Sequence, residues 1–125
     1  MTLAESRVVK NIVWTKSKAF AIRCVKLYQY LSEDKREFVL SRQVLKSGTS
    51  IGANVREALQ AESRADFVHK MTIALKEAAE TEYWLELLQE TGYIGGEGAS
   101  QSLMVDCKEL NKLLISIVKS AKNSV

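Results

Sequence analysis

Hydrophobic and small residues recur at alternating steps of three and four between residues 38 and 59. The positions are Phe38, Ser41, Leu45, Gly48, Gly52, Val55 and Leu59. This spacing is typical of one face of an α-helix, and its phase continues through the small residues at 47–53. Because a loop would reset the phase, we expect one continuous helix over residues 35–61. Gly48 and Gly52 share its apolar face, which predicts the close approach of a second helix backbone.

Three further segments have the same helical period. They span residues 15–32, 64–91 and 99–122. Asp34–Glu37 and Ser63–Asp66 have the form of helix N-caps, each with an acidic residue three positions later. The glycine-rich segment 92–98 is the clearest loop, since it holds four of the six glycines.

The first fourteen residues allow two interpretations. Thr2–Glu5 has the form of a capping box, which would begin the first helix there. The β-branched pairs Val8–Val9 and Ile12–Val13 instead favour an extended or frayed segment. We favour the second interpretation and predict a partly ordered arm over residues 1–14.

These elements predict an all-α protein, an antiparallel up-and-down four-helix bundle that occupies residues 1–125 as a single domain. Proline is absent and only 6 of the 125 residues are glycine, so little interrupts long helices. No apolar run approaches the roughly 18 residues that a membrane-spanning helix needs. We therefore expect a cytoplasmic protein without a membrane partner.

The sequence offers little for catalysis or metal binding. His69 is the single histidine, and nothing near it in the sequence completes a catalytic triad. Cys24 and Cys107 fall at apolar positions of different helices, which favours buried free thiols over a metal site. Gly48–Gly52 lacks the lysine and the preceding strand of a phosphate-binding loop. We expect no catalytic residue, no metal and no cofactor, and hence a protein that is not an enzyme.

Two polar residues lie within or beside apolar stripes. Asn54 is on the second helix, and Glu82 shares the apolar phase of the third. A buried carboxylate needs a partner, because isolated burial of charge is costly. One hypothesis is that Asn54 and Glu82 belong to a buried polar set that fixes helix register. The alternative is that both lie at a solvated rim.

Charge is distributed unevenly along the chain. Residues 1–56 carry 11 Lys/Arg against 4 Asp/Glu, whereas residues 57–97 carry 3 against 9. Helical stripes of Lys and Arg can bind nucleic-acid phosphates, and they are also the ordinary solvated faces of a bundle. If nucleic acid is bound, the expected contacts are Arg23, Lys26, Arg42, Lys46, Lys108 and Lys112.

Several segments of the chain resemble a known protein family. The segments are Ser50–Glu57, Ser63–Phe67, Ala74–Ala78, Glu82–Leu85 and Thr91–Ile94. Together they are similar to bacterial four-helix-bundle proteins first noticed as reading frames inside intervening sequences of large-subunit ribosomal RNA genes. The resemblance covers about residues 17–122.

The resemblance implies a homopentamer of four-helix bundles arranged as a ring, with no known catalytic activity. A related branch, the accessory variability proteins of diversity-generating retroelements, implies a basic surface that binds nucleic acid and a reverse transcriptase. Ser50, Asn54, Glu57 and Glu82 match the family pattern as structural residues. Two functions remain as alternatives. One is an oligomer that binds RNA or DNA through phosphate without base specificity, and the other is a scaffold for an unidentified protein partner.

Overall fold

The structure is a computed structural model that describes residues 2–123, and within those residues it contains four α-helices and no strand. The helices are α1 (Leu3–Glu33), α2 (Leu40–Leu59), α3 (Arg64–Glu90) and α4 (Ala99–Asn123). Each helix packs against the next, and α4 returns beside α1, so α1 is diagonal to α3 and α2 is diagonal to α4. The predicted all-α, four-helix fold is confirmed.

The first helix begins far earlier than predicted. The Thr2 hydroxyl oxygen accepts the Glu5 backbone N–H at 3.1 Å, and the hydroxyl donates to the Glu5 carboxylate at 2.9 Å. Thr2 therefore caps α1, which starts at Leu3, and the prediction of a partly ordered arm over residues 1–14 is wrong for residues 2–14, while residue 1 lies outside the described residues. Packing explains the outcome, because Val13 is fully buried in the bundle core and its contacts override the β-propensity of the segment.

The start of the second helix also differs from the prediction of residues 35–61. Asp34 ends α1 instead of capping α2, because its N–H donates to the Tyr30 carbonyl oxygen at 2.9 Å. Arg36 follows with a φ of 55°, a left-handed conformation that turns the chain toward α2. The expected N-cap at Asp34 is therefore wrong, and Phe38 lies ahead of the helix with 44 % of its surface exposed.

Glu37 supplies the cap of α2. Its carboxylate accepts the backbone N–H groups of Val39, Leu40 and Ser41 at 3.2, 2.9 and 2.7 Å. Burial would raise the pKa of Glu37, but these donors stabilise the charged form and hold the pKa below its ordinary value. One side chain thus satisfies three N–H groups at the start of the helix, which have no partner within it.

The remaining helix ends lie within about two residues of the predicted bounds. The Ser63 hydroxyl accepts the Asp66 N–H at 3.0 Å and caps α3. Gly92 follows α3 with a φ of 83°, and Gly98 precedes α4 with a φ of 66°. These left-handed conformations favour glycine, so the segment 92–98 is the joint that the sequence predicts.

Small residues bring α1 and α2 into close contact. A Cβ atom at Gly48 would collide with the Cys24 Sγ, and one at Gly52 would lie 3.3 Å from the backbone oxygen of Ser17. Residue numbers fall along α1 as they rise along α2, so the two helices are antiparallel. Both glycines therefore lie at a helix crossing that excludes larger side chains, as the spacing predicts.

The buried polar side chains differ from the predicted pair. Thr81 Oγ1 lies 2.8 Å from Ser47 Oγ, which links α3 to α2 inside the core. Asn54 is half-buried and donates to the Ser50 carbonyl oxygen on its own helix at 2.9 Å. Glu82 is half-buried and accepts from the Asn111 amide at 3.1 Å. Among the described residues no hydrogen bond joins Asn54 to Glu82 and both are only half-buried, so the hypothesis of one buried polar set is wrong.

Candidate nucleic-acid interface

Four lysines occupy the outer face of α4, opposite the side chains that enter the core. They are Lys108, Lys112, Lys119 and Lys122, and we name them the lysine stripe. All four are exposed, and within residues 2–123 none of them forms an ion pair. From Lys108 to Lys122 the stripe extends about 21 Å along the helix axis.

The two acidic residues of α4 lie on a different side of the helix and are paired with α1. Asp106 accepts from the Arg23 guanidinium at 2.6 Å, and Glu109 forms an ion pair with Lys16. The hydrogen bond from Lys16 to Glu109 raises the pKa of that lysine. Because α1 compensates the carboxylates of α4, the positive charge of the lysine stripe is left without a counter-charge on its own helix.

Arg23 has a structural position that the sequence does not predict. Besides Asp106, its guanidinium donates to the Ser102 hydroxyl at 3.2 Å and to the Ala99 carbonyl oxygen at 3.0 Å. These bonds connect the middle of α1 to the first turns of α4. Three partners occupy the guanidinium, so Arg23 is less available to phosphate than an exposed lysine is.

The six expected contacts do not form one patch. Arg42 and Lys46 are exposed on α2, which is diagonal to α4 and so separates them from Lys108 and Lys112. Lys46 also lies close to acidic α3. There, burial and the charge of Glu80 raise the pKa of Glu77, while Lys46 opposes the rise. The cations of α2 and α4 therefore belong to two different surfaces of the subunit.

The expected contacts omit Lys119 and Lys122, although their spacing carries the necessary signal. Both continue the helical period of Lys108 and Lys112 toward the end of α4. The sequence carries no comparable signal for Arg56, whose guanidinium carbon lies 3.8 Å from the centre of the Trp14 ring across the α1–α2 groove. Stacking between separate helices depends on how they pack, which a single helix pattern does not contain.

The family-pattern residues of α2 have local partners. The Ser50 hydroxyl donates to the Lys46 carbonyl oxygen at 2.7 Å, one turn earlier in the helix. Glu57 pairs with Lys70 of α3 at 2.9 Å, and the carboxylate raises the pKa of that lysine. Their positions are those of helix-stabilising residues rather than of a ligand site.

The outer face of α1 carries a second apolar stripe. Val8, Ile12 and Ile22 are exposed at 56, 39 and 49 %, and Thr15 and Ala19 continue the line at helical spacing. We name these five residues the outer stripe of α1. A helix that is apolar on the side facing solvent as well as on the core side presents a surface suited to another protein.

The thiols and the histidine do not form a reactive site. Cys24 and Cys107 are buried, and burial raises the pKa of Cys24 to about 12 and also raises the pKa of Cys107. His69 is exposed on α3. Across residues 2–123, no three His, Cys, Asp or Glu side chains are grouped as ligands for a metal ion.

In the described part of the chain, no helix has a stretch that is both long and apolar enough to cross a lipid bilayer.

Comparison with known proteins identifies the relatives of this bundle. The family model described as 23S rRNA-intervening sequence protein matches residues 9–116. A similar solved structure is described as a protein of unknown function from the S23 ribosomal protein family of Bacteroides thetaiotaomicron. It is 59 % identical with a TM-score of 0.86, and the match covers 89 % of this chain and 98 % of that one. No curated protein matches the chain.

The matched range contains all the segments on which the sequence resemblance rests, from Ser50–Glu57 to Thr91–Ile94. The four-helix architecture agrees with the similar solved structure over nearly its whole length. The family match covers far more than half of the chain. The chain belongs to the 23S rRNA-intervening sequence protein family.

Proposed function

We propose that this protein is a non-enzymatic oligomer that binds RNA through phosphate groups at the lysine stripe. The observation that carries the proposal is the separation of charge on α4. Its carboxylates, Asp106 and Glu109, are paired with α1, whereas its four outer lysines are exposed and unpaired within residues 2–123. A row of ammonium groups on one helix face suits the phosphates of a nucleic-acid backbone.

The outer face of α4 carries no arginine and no aromatic side chain. Arginine is the commonest bidentate reader of base edges, and aromatic side chains stack on unpaired bases. The face offers the four lysines, the exposed amide of Gln101 and the exposed aliphatic residues Val105 and Ile115. Binding should therefore depend strongly on salt and weakly on base sequence.

Self-assembly is the second part of the proposal. The outer stripe of α1 is the surface that we assign to a second copy of the chain, because exposed aliphatic side chains at regular helical spacing favour helix–helix packing. A ring of five copies, as the family resemblance implies, would repeat the lysine stripe and raise affinity for a long RNA through multivalency.

The test is a salt series with a structured RNA hairpin and a DNA duplex of equal length, with the mass measured by light scattering on the same sample. Wild-type protein is expected to bind both, with log K falling linearly against log salt. The double variant Lys108→Ala/Lys112→Ala should reduce the slope by about two, since each lysine lost removes about one phosphate contact.

Lys18 and Lys76 provide a matched control, because they are exposed lysines on α1 and α3 and their removal deletes the same charge. The control double variant Lys18→Ala/Lys76→Ala should keep the wild-type slope. If Arg42→Ala/Lys46→Ala lowers the slope and the α4 variant does not, the stripe is the wrong surface. An assembled protein that binds neither nucleic acid at low salt would overturn the proposal.

A protein-interaction scaffold is the alternative function, and one observation favours it. Tyr83 is 55 % exposed on α3 and packs edge-on against Trp84, with ring centres 5.0 Å apart. The Trp84 ring N–H donates to Glu80, so aromatic and acidic groups share this face. Such a surface suits a basic partner protein. Absence of RNA binding by the assembled protein would leave this function in place.

A further inference from the structure

A cavity of about 660 Å³ lies at the end of the bundle where α1 finishes and α4 begins. Its walls are the last turns of α1, the joint after α3 and the first turns of α4. The lining includes Arg23, Lys26, Tyr30, Lys35 and Tyr93. We name it the end pocket. Its volume is in the range of pockets that hold small ligands.

The polar chemistry of the end pocket is cationic. Three of its lining residues are Arg or Lys, and none is Asp or Glu. Arg23 is paired with Asp106, which is outside the lining, whereas Lys26 and Lys35 form no ion pair among the described residues. Two ammonium groups are thus free to bind an anion, and no lining carboxylate opposes them.

Two tyrosines add flat, polarisable surface to the same cavity. Tyr30 is 41 % exposed, and Tyr93 is half-buried and packs against the core. The Lys35 ammonium lies 5.9 Å from the centre of the Tyr30 ring, a contact weaker than pairing with a phosphate. The pocket therefore combines groups that bind an anion with groups on which an aromatic ring can stack.

We propose that the end pocket binds a phosphorylated nucleoside, with its base against the exposed ring of Tyr30 and its phosphate paired with Lys26 and Lys35. A simple inorganic anion would leave the tyrosines unused, and an uncharged aromatic compound would leave the ammonium groups unused. A nucleotide uses both, and aromatic stacking tolerates different bases. The same chemistry is present in a free mononucleotide and in the phosphorylated end of an RNA strand.

The site is distinct from the lysine stripe, because the pocket lining contains none of the four stripe lysines. The proposal thus stands or falls independently of phosphate binding at α4. AMP is a suitable probe, since it is too small to span a row of lysines that extends about 21 Å.

The test is isothermal titration calorimetry at low salt with AMP, adenosine and inorganic phosphate. AMP is expected to bind with a Kd on the order of 100 μM, and each of the two fragments at least about tenfold more weakly. Lys26→Ala/Lys35→Ala and Tyr30→Leu should each weaken AMP by about tenfold, because one removes the phosphate partners and the other a stacking surface. Lys76→Ala, on the outer face of α3, is the control and should bind AMP as the wild type does.

Two RNA oligonucleotides of equal sequence, one with a 5′-phosphate and one with a 5′-hydroxyl, distinguish the two sources. A preference for the phosphorylated strand that Lys26→Ala/Lys35→Ala abolishes assigns the pocket to an RNA end, and equal binding of the strands assigns it to free nucleotide. The proposal is overturned if AMP does not bind at about 1 mM, or binds no more tightly than adenosine. It also fails if the pocket variants, folded by circular dichroism, bind AMP like the wild type.

Discussion

The two contacts that α1 makes with its neighbours are built from different chemistry. Against α2, the backbone comes so close at Gly48 and Gly52 that a Cβ atom would meet Cys24 and Ser17. Against α4, α1 is joined by Arg23 and other partly exposed polar side chains. Shape therefore determines the α1–α2 contact, and charge supports the α1–α4 contact.

This difference has a consequence for the surface. A contact made by small residues excludes water, and it contains no charged groups that could alter the charge balance of the surface. At the α1–α4 contact the carboxylates of α4 form ion pairs with α1. The outer lysines of α4 therefore have no counter-charge on their own helix. The end pocket also lies beside the polar contact, where α1 and the start of α4 are not closely packed. The tight contact fixes the fold, and both candidate binding sites lie on the looser side.

Enlarging Gly48 tests the tight contact and has the largest expected effect. Gly48→Ala should lower the free energy of unfolding by about 1–3 kcal/mol, because the new methyl group collides with the buried Cys24 side chain. In a Cys24→Ala background the Sγ is removed and only the Cβ of residue 24, 3.0 Å from the added carbon, stays close, so the same substitution should cost about 1 kcal/mol less than in the wild type. Urea unfolding of the four proteins in this cycle gives the coupling energy.

Gly95 provides the matched control. A Cβ atom added there has no neighbour within 4 Å, and Gly95 is not among the glycines with positive φ. Gly95→Ala should therefore change stability by less than about 1 kcal/mol. If Gly48→Ala costs as much in the Cys24→Ala background as in the wild type, the collision is not the cause and shape does not determine this contact.

Glu37 caps α2 directly after the turn from α1. Its substitution should reduce stability by less than Gly48→Ala does. Glu37→Gln should cost about 1 kcal/mol at neutral pH, since the carboxylate accepts three N–H groups of α2. Because the folded pKa is depressed, the stabilisation is full above the usual pKa of 4.5 and is lost as the pH falls through the folded value. Urea unfolding at neutral pH and below pH 4.5 should therefore show less acid destabilisation in the variant.

Glu62→Gln is the comparison for that experiment, because Glu62 is exposed in the joint between α2 and α3. It is expected to cost less than about 0.5 kcal/mol. If the wild-type protein and the Glu37→Gln variant lose stability in parallel as the pH falls, the assignment of the cap to the Glu37 carboxylate is wrong.

The tight contact could be predicted from the sequence, and the reason is periodicity. Gly48 and Gly52 keep the phase of a single apolar face, so a pattern within one helix reveals what that face can approach. The start of α1 and the start of α2 could not be predicted in the same way. At both helix starts the sequence offers competing local signals, and tertiary packing selects between them. At α1, burial of Val13 in the core favours the helix.

The candidate interface could be predicted only in part. The lysines of α4 share a helical period, so Lys108 and Lys112 are correctly placed on one face. The separation of Arg42 and Lys46 from them, and the pairing of Arg23 with Asp106, depend on which helices are neighbours and which are diagonal. Sequence periodicity describes each helix by itself, and it does not fix the order of helices around the bundle.

The polar contact gives the smallest expected effect, because its members are partly exposed. The side chains of Arg23 and Asp106 are 30 and 45 % exposed, so removing the arginine leaves a carboxylate that water can solvate. Arg23→Gln should therefore cost less than about 1 kcal/mol, and most of that cost should disappear at about 1 M salt, where charges are screened within ~3 Å. Lys76→Gln, which removes an exposed charge that forms no ion pair among the described residues, should cost nothing measurable at either salt concentration. A loss of about 3 kcal/mol that salt does not reduce would mean that the α1–α4 contact behaves as a buried ion pair, and the contrast with α1–α2 would fail.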